Sequence, residues 1–522
     1  MAWGWVLPTP RLYNFTVMIF SALLLSQIVE WEILLEHRNL CPWEGGKRMV
    51  LLDSALVIAN YALRDTNPLA VPFITSVDTG GNILWEVSLS SGDLAEPGWE
   101  IAEKIASDSP FVYVAGARFR ENIPILNSLV HRVDLAGNIL WSTGPKPSIW
   151  TGCASDVMTD PSGNLVYVGL QYDPLYCSYN IYLSSWDREG NQRWEIAYDH
   201  SHDNDFPLSA CLDEQMDIYV GGCGGRPSCP NQIPIAMKVD RNGNLVWVKD
   251  FYEGFGNHTG YIQSVRAKNG ALTVMGWACS GGIFVGKYRY DGSEIWSVFL
   301  NPQEFLEGED MIVDDEYQYV SGFKDKNQFF ALALDNQGQL LWETAIPSDT
   351  GFRGNKIVLD SLGNLFVGGY IFDAAGRREF TVAKLLASDG AMLWVYKRDN
   401  DVPGYDGDEC LDLIPDQKGG VYALGRLWGM KPDPKKPCLY LAHIVDTTGD
   451  ISEGAQSSQG LVLTPAPSGF LISGYEGEAQ VYDPAGRLIL TREIKGKALI
   501  GPLKPGVYFV VAGSQRAKVA VR

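Results

Sequence analysis

One phrase recurs along this chain at an interval of about fifty residues, and a chain built that way is restricted to stacked or radially arranged units. It reads VDTGGNILWEV, VDLAGNILWST, WDREGNQRWEI, VDRNGNLVWVK, YRYDGSEIWSV, LDNQGQLLWET and LASDGAMLWVY, with tryptophans at Trp85, Trp141, Trp194, Trp247, Trp296, Trp342 and Trp394. Neighbouring tryptophans lie 46 to 56 residues apart. Asp-x-x-Gly-Asn is turn chemistry, and apolar runs on both sides of it read as a hairpin. Between these phrases lies a second one, as in DPSGNLVYVGL, DDEYQYVSGF and DSLGNLFVGGY. That is another turn followed by a strand with glycine at a crowded position.

Counting the two phrases separately gives the architecture. The second occurs eight times, near Ala59, Gly116, Gly169, Gly221, Gly276, Gly322, Gly368 and Gly425. The Asp-x-x-Gly turn also occurs eight times, but the last, Asp446 to Gly449, has no tryptophan strand after it. A matching strand stands at the other end of the chain, at Val29 to Leu34 around Trp31, 54 residues before Trp85. Four short strands per unit and a one-strand offset predict an all-β, eight-bladed β-propeller over residues 28–455. Its last blade is closed by the strand around Trp31. Seven blades are the alternative if the unit from Lys47 to Trp85 is degenerate. The eight repeat tryptophans read as wedges between blades, each burying about 150–250 Å².

The 522 residues carry a net charge of −20, which argues against a general nucleic-acid binder, since counterion release from phosphates needs basic surface. Phe15 to Leu25 is one apolar run of signal-peptide length, too short for a membrane helix, and residues 1–27 read as an export signal. No other segment could span a bilayer, so no transmembrane anchor is expected in the mature chain. Among nine cysteines, Cys223 and Cys229 share one Gly/Pro-rich loop and are expected to close a small disulfide ring after export.

The V-D-x-x-G-N-x-x-W phrase resembles the propeller repeats of bacterial secreted proteins and, more distantly, quinoprotein-like propellers with tryptophan-docked blades. The resemblance spans about four fifths of the chain and implies fold rather than activity. After a Ser/Gln/Gly stretch, residues 456–522 read as six or seven short strands of a small β-sandwich. They carry eight basic and four acidic residues, a net +4, so that residues 1–455 hold −24 of the total −20. This tail resembles the C-terminal sorting domain of the type IX secretion system. The matching elements are Leu463-Thr-Pro-Ala-Pro, Val481-Tyr-Asp-Pro-Ala-Gly-Arg-Leu and Leu503-Lys-Pro-Gly-Val-Tyr-Phe. Where that family opens with Pro-Asn-Pro, this chain has Pro465-Ala-Pro467. The resemblance implies secretion to the medium or outer cell surface, with the export machinery as a partner of residues 456–522.

Motifs for chemistry are sparse. There is no G-x-S-x-G elbow, H-E-x-x-H pair, P-loop or dinucleotide fingerprint, and no adjacent cysteine pair of the kind many quinoproteins use. The connections after the tryptophan strands gather at one face, and several are acidic. Asp203, Asp205, Asp310, Asp406 and Asp408 are candidate oxygen ligands for Ca²⁺, His200 and His202 could instead serve a transition metal, and solvated loop charge is the remaining alternative. Trp99, Trp150, Trp277 and Trp428 fall outside the repeat phrase and are candidate ligand-stacking residues. The expected function is non-catalytic binding of an extracellular glycan or protein through the loop face. The alternatives are an enzyme, either a quinone-dependent oxidoreductase or a polysaccharide hydrolase or lyase, and an envelope scaffold.

Overall fold

The repeated turn closes because its aspartate caps its own backbone. Asp78 Oδ1 accepts from the N–H of Gly80 at 2.9 Å and of Asn82 at 2.7 Å, while the Asn82 amide donates to the carboxylate at 3.0 Å. The same bonds recur at Asp134, Asp187 and Asp240. At Asp78, Asp134 and Asp187 the asparagine side chain does most to hold the carboxyl below its ordinary value. Directly after the turn the pairing skips one residue, Leu84 in the first repeat, before the tryptophan. That bulge turns the apolar pair Ile83 and Leu84 to solvent, 49% and 53% exposed, and aims Trp85 at the neighbouring unit.

The computed structural model describes residues 27–446 and 462–521, with short breaks inside both stretches. All regular elements among the described residues are strands. Eight antiparallel sheets form the blades of a propeller. Blade 1 covers residues 38–39 and 49–88, and blades 2 to 7 cover 98–143, 150–198, 206–250, 260–300, 306–346 and 352–398. Blade 8 combines 409–446 with the first strand, Gln27–Leu35. That strand pairs antiparallel with Cys438–Asp446, Ile28 opposite Val445 and Trp31 opposite His443. Blade 1 is a full blade whose inner edge is interrupted: Arg38–Asn39 and Met49–Leu52 both pair with Ala55–Leu63.

The core lies in the seams between blades. One such seam, between blades 8 and 1, buries Leu424, Leu439 and Leu441 against Met49, Leu56 and Ile58, with Trp31 and Ile33 packed beside them. At the outer radius each blade is tied to the next by its tryptophan. Trp85 Nε1 donates to Leu135 O at 2.8 Å, Trp141 to Arg188 O at 2.7 Å, and Trp296 to Asn336 O at 2.7 Å. Trp194, Trp247 and Trp342 make the equivalent bonds to Arg241, Tyr290 and Ala387. Trp394 donates to the Asp446 carboxylate of blade 8, and Trp31 completes the ring on Thr79 of blade 1. The indole also covers the left-handed glycine of the receiving turn: at Gly243, φ +88°, an added Cβ would meet the Trp194 ring at 2.6 Å.

The C-terminal residues form a single five-stranded antiparallel sheet of Val462–Ala466, Gly469–Tyr482, Leu488–Ile500, Gly506–Ala512 and Gln515–Val521. The sequence suggested more and shorter strands in two layers. Short apolar runs merge here, FLISGY with GEAQVY into a 14-residue strand whose register slips between Ser473 and Glu476 instead of ending.

Candidate functional site at the mouth of the central channel

The inner strand of each of blades 2 to 8 is bulged a few residues after it starts, and the bulge brings polar side chains to the ring axis. In blades 6 and 8 the register slips between Gly308 and Asp310 and between Cys410 and Asp412. A glycine on the second strand makes room: a Cβ on Gly322 or Gly425 would stand 2.0 Å from the carbonyl of Glu307 or Glu409. The aspartate after the bulge then works as a clip. Asp310 Oδ1 accepts from its own neighbour Met311 N at 2.9 Å, and Oδ2 accepts from Ile357 N of blade 7 at 3.3 Å. Asp156 bridges blade 3 to Ala210 of blade 4 in the same way, and Asp412 bridges blade 8 to Arg48 and Met49 of blade 1. Elsewhere around the ring the Ser209 hydroxyl and the Glu103 carboxylate serve. Sequence reasoning missed these clips and offered Asp310 only as a candidate Ca²⁺ ligand.

These strands enclose a cavity of about 800 Å³ along the axis. Among the described residues six basic side chains and five acidic ones line it. Deep in the wall, Asp310 takes Arg266 at 2.8 Å and Lys356 at 3.1 Å. Burial pushes the Lys356 ammonium down, but Asp310 and Asp412 outweigh it and hold it above its ordinary value. Toward the end where the chain enters the inner strands, the lining comes from blades 6, 7 and 8. Arg353 Nε donates to Glu309 at 2.7 Å, and Arg426 pairs with Glu409, its cross-strand neighbour. Arg378 lies over the Tyr370 ring, 4.4 Å from its centroid. Burial raises the Tyr370 hydroxyl above its ordinary value; Arg378 and Arg353 oppose this, while Glu409 and Glu309 add to it. That one hydroxyl therefore feels Arg378, Arg353, Glu409 and Glu309 together.

The other residues singled out by sequence are scattered. Asp205 is buried, with one oxygen on His200 N at 2.7 Å and the other on Gly225 N at 2.8 Å. Burial raises it to about 6 against those bonds. Asp203 caps Asn204 N, and Asp408 accepts from Trp428 N at 2.6 Å. Asp406 lies outside the described residues. Asp203 and Asp205 precede the inner strand of blade 4, Asp408 precedes that of blade 8, and Asp310 lies within that of blade 6, where Arg266 and Lys356 engage it. Among the described residues no three His, Cys, Asp or Glu side chains gather as a metal cluster. Trp277 is half-buried against Tyr261, ring centroids 5.1 Å apart, and Trp428 is half-buried beside Gly407. The side chains of Trp99 and Trp150 lie outside the described residues. Cys223 is a free, buried thiol that donates to Gln232 Oε1 at 2.8 Å. The side chain of Cys229, its expected partner, is outside the described residues, as are residues 1–26 of the expected export signal. No helix among the described residues is long and apolar enough to cross a membrane.

No family model matches the chain, and no curated protein does. Among solved structures it is similar to the quinohemoprotein alcohol dehydrogenase ADHIIG from Pseudomonas putida HK5. The identity is 13% over 85% of this chain and 79% of that one, with a TM-score of 0.51. It is also similar to Sqt1 from Saccharomyces cerevisiae, at 9% identity, 75% and 92% coverage and a TM-score of 0.46. The β-propeller domain of the Trilobed protease from Pyrococcus furiosus matches at 11% identity, 69% and 99% coverage and a TM-score of 0.40. At these identities the likeness to the dehydrogenase shows the β-propeller fold alone.

Proposed function

We propose that this chain is a non-catalytic β-propeller that binds an extracellular glycan or protein across the face where its channel opens among the loops. On this reading it is exported, with residues 456–522 as the address read by the secretion machinery. The observation that carries the binding reading is the engagement of the channel carboxylates. Glu309 and Glu409 sit on arginines, Asp310 on Arg266 and Lys356, and Asp156 and Asp412 on backbone N–H groups. Carboxylates held this way stabilise a rigid recognition surface, and none of these five is left poised as a general base. A second exposed feature of the same face supports it. Tyr176 stacks on His202, centroids 4.0 Å apart, and Asp199 holds that imidazole.

The test is capture of the full chain on immobilised pectin, chitin, dextran and collagen, with released reducing ends and peptides measured in parallel. Retention on one matrix without product supports the reading, and product release overturns it. The export part is tested separately, by mass spectrometry of both termini of the native protein in cytoplasm, envelope and medium.

A further inference from the structure

We infer that Tyr176 and His202 form a stacking platform for a pyranose ring of gluco configuration, on the loop face where the chain passes from blade 3 to blade 4. This deepens the binding reading above and rests on it. Exposure is the first observation. Among the described residues of the propeller, most exposed large apolar side chains follow the repeated Asp-x-x-Gly turns, as Ile83 and Leu84 do, and Leu362 lies in a turn between first and second strands. Those turns all stand at the end of the ring away from the loop face. Leu175 and Tyr176 are the exceptions: they occupy the turn between the second and third strands of blade 3, on the loop face, 76% and 45% exposed. The repeat accounts for the first group and not for this pair.

The second observation is how the rings are held. Tyr176 and His202 come from two different connections and stack with centroids 4.0 Å apart and planes inclined by 15°. Asp199 accepts from His202 N at 2.6 Å and from Nδ1 of its ring, which fixes the tautomer and leaves Nε2 as the remaining polar ring atom. The two connections are tied to each other and to the blade. Asp205 N donates to Tyr179 O at 2.7 Å, Tyr179 N to Asn204 Oδ1 at 3.1 Å, and Leu175 N to Asp173 Oδ1 at 2.7 Å. Cys177 at φ +55° and His202 at φ +61° take the left-handed backbone without being glycine, a cost stored at this exposed spot. The third observation is the pattern of polar atoms. Among the described residues neither His202 Nε2 nor the Tyr176 hydroxyl makes a hydrogen bond, and the His202 side chain is 61% exposed. Each ring covers one face of the other, so the surface left open is aromatic in its middle and polar at its rim. A gluco-configured pyranose carries the complement. Its axial C–H bonds make apolar faces, positively polarised against the negative aromatic face, and its hydroxyls lie equatorially at the rim. Rings already fixed in place lose little conformational entropy when such a sugar binds.

Cellulose-type and chitin-type chains share this chemistry, so cellohexaose and chitohexaose are both titrated into the full-length chain carrying ¹³C-labelled histidine. Sorbitol, which has the hydroxyls but no ring face, is the counterpart. The chain has six histidines, and His202→Gln identifies the His202 signal. The expected result is a saturable shift of that signal with cellohexaose, chitohexaose or both, while the signals of His131 and His443, buried in blades 2 and 8, stay in place. Tyr176→Ala should weaken the binding at least tenfold, and Tyr176→Phe, which keeps the ring and drops only the hydroxyl, should retain it. The wild-type titration stands independently of any variant. A His202 signal that neither sugar moves, an equal response to sorbitol, or undiminished binding by Tyr176→Ala overturns the inference. If the chain is still captured by an immobilised matrix while these results are negative, the loop-face reading stands and only this platform is lost.

Discussion

His131 is held neutral by the fold. It is buried in the third strand of blade 2 with Nδ1 2.8 Å from Ser142 Oγ, and burial pushes its pKa from 6.5 to about 4. Because the folded value is depressed, the unfolded chain takes the proton first as pH falls. The stability tied to His131 is intact above pH 6.5 and drains away between pH 6.5 and about 4, by about 3 kcal/mol when complete. Asp205 has the opposite sign. Its carboxyl is raised from 3.8 to about 6, so its contribution is greatest in acid and falls as pH rises between those values. Denaturant midpoints of wild type and His131→Gln between pH 7 and 4 check the first statement: the variant should lose less stability over that range. A titration of ¹³C-labelled aspartate carboxyls, assigned with Asp205→Asn, should find one signal moving near pH 6.

At the scale of the element, the turn and tryptophan strand form one unit with the turn that receives the indole. Trp194 donates to Arg241 O at 3.1 Å and covers Gly243. Trp194→Phe keeps most of the apolar contact and loses one hydrogen bond, an expected cost of about 1 kcal/mol. Trp194→Ala should cost about 3 kcal/mol through the cavity it leaves. Gly243→Ala adds a Cβ to a left-handed backbone and drives it into the indole, for about 2 kcal/mol. Since the two residues touch, the double variant Trp194→Ala/Gly243→Ala should cost less than the sum, read from urea unfolding; strict additivity would dissociate the pair. This unit is legible in sequence because all its parts are local: a capping aspartate, a glycine and a tryptophan within eight residues, repeated. The channel clips are not legible. An aspartate a few residues into a strand looks like any other in a chain with 62 acidic residues. What makes Asp310 a clip is a bulge that depends on Gly322, on the next strand, and an N–H of Ile357 in the next blade. For the same reason the arginines of the mouth escaped notice, since Arg353, Arg378 and Arg426 come from three separate strands of two blades.

For the whole molecule the decisive seam is the one between blades 8 and 1, where a ring of eight either closes or gapes. The first strand is fastened there at several points. Trp31 docks on Thr79 of blade 1, and Glu32 takes Arg398 of blade 7 and the Tyr440 hydroxyl. His443 stands between Glu30 and Asp416 and stacks on Tyr422, centroids 4.3 Å apart. At the inner radius the same seam is held by Asp412, whose Oδ2 accepts from Arg48 and Met49. Two fasteners at two radii predict that neither alone decides closure. A chain beginning after Leu35 loses the outer one, exposes the edge of Cys438–Asp446 to other chains, and should melt lower and self-associate. The peptide of residues 27–35 added in trans should restore the melting temperature by refilling that edge. Asp412→Ala alone should be mild, because the outer strand keeps Arg48 and Met49 in register. Combined with the truncation it should cost more than the two changes added, since only then can the seam open and flood the hydrophobic layer of Leu424, Leu439 and Leu441. A truncated chain that melts with the full one, or a double change that is merely additive, would mean that blade-to-blade packing closes the ring without either fastener.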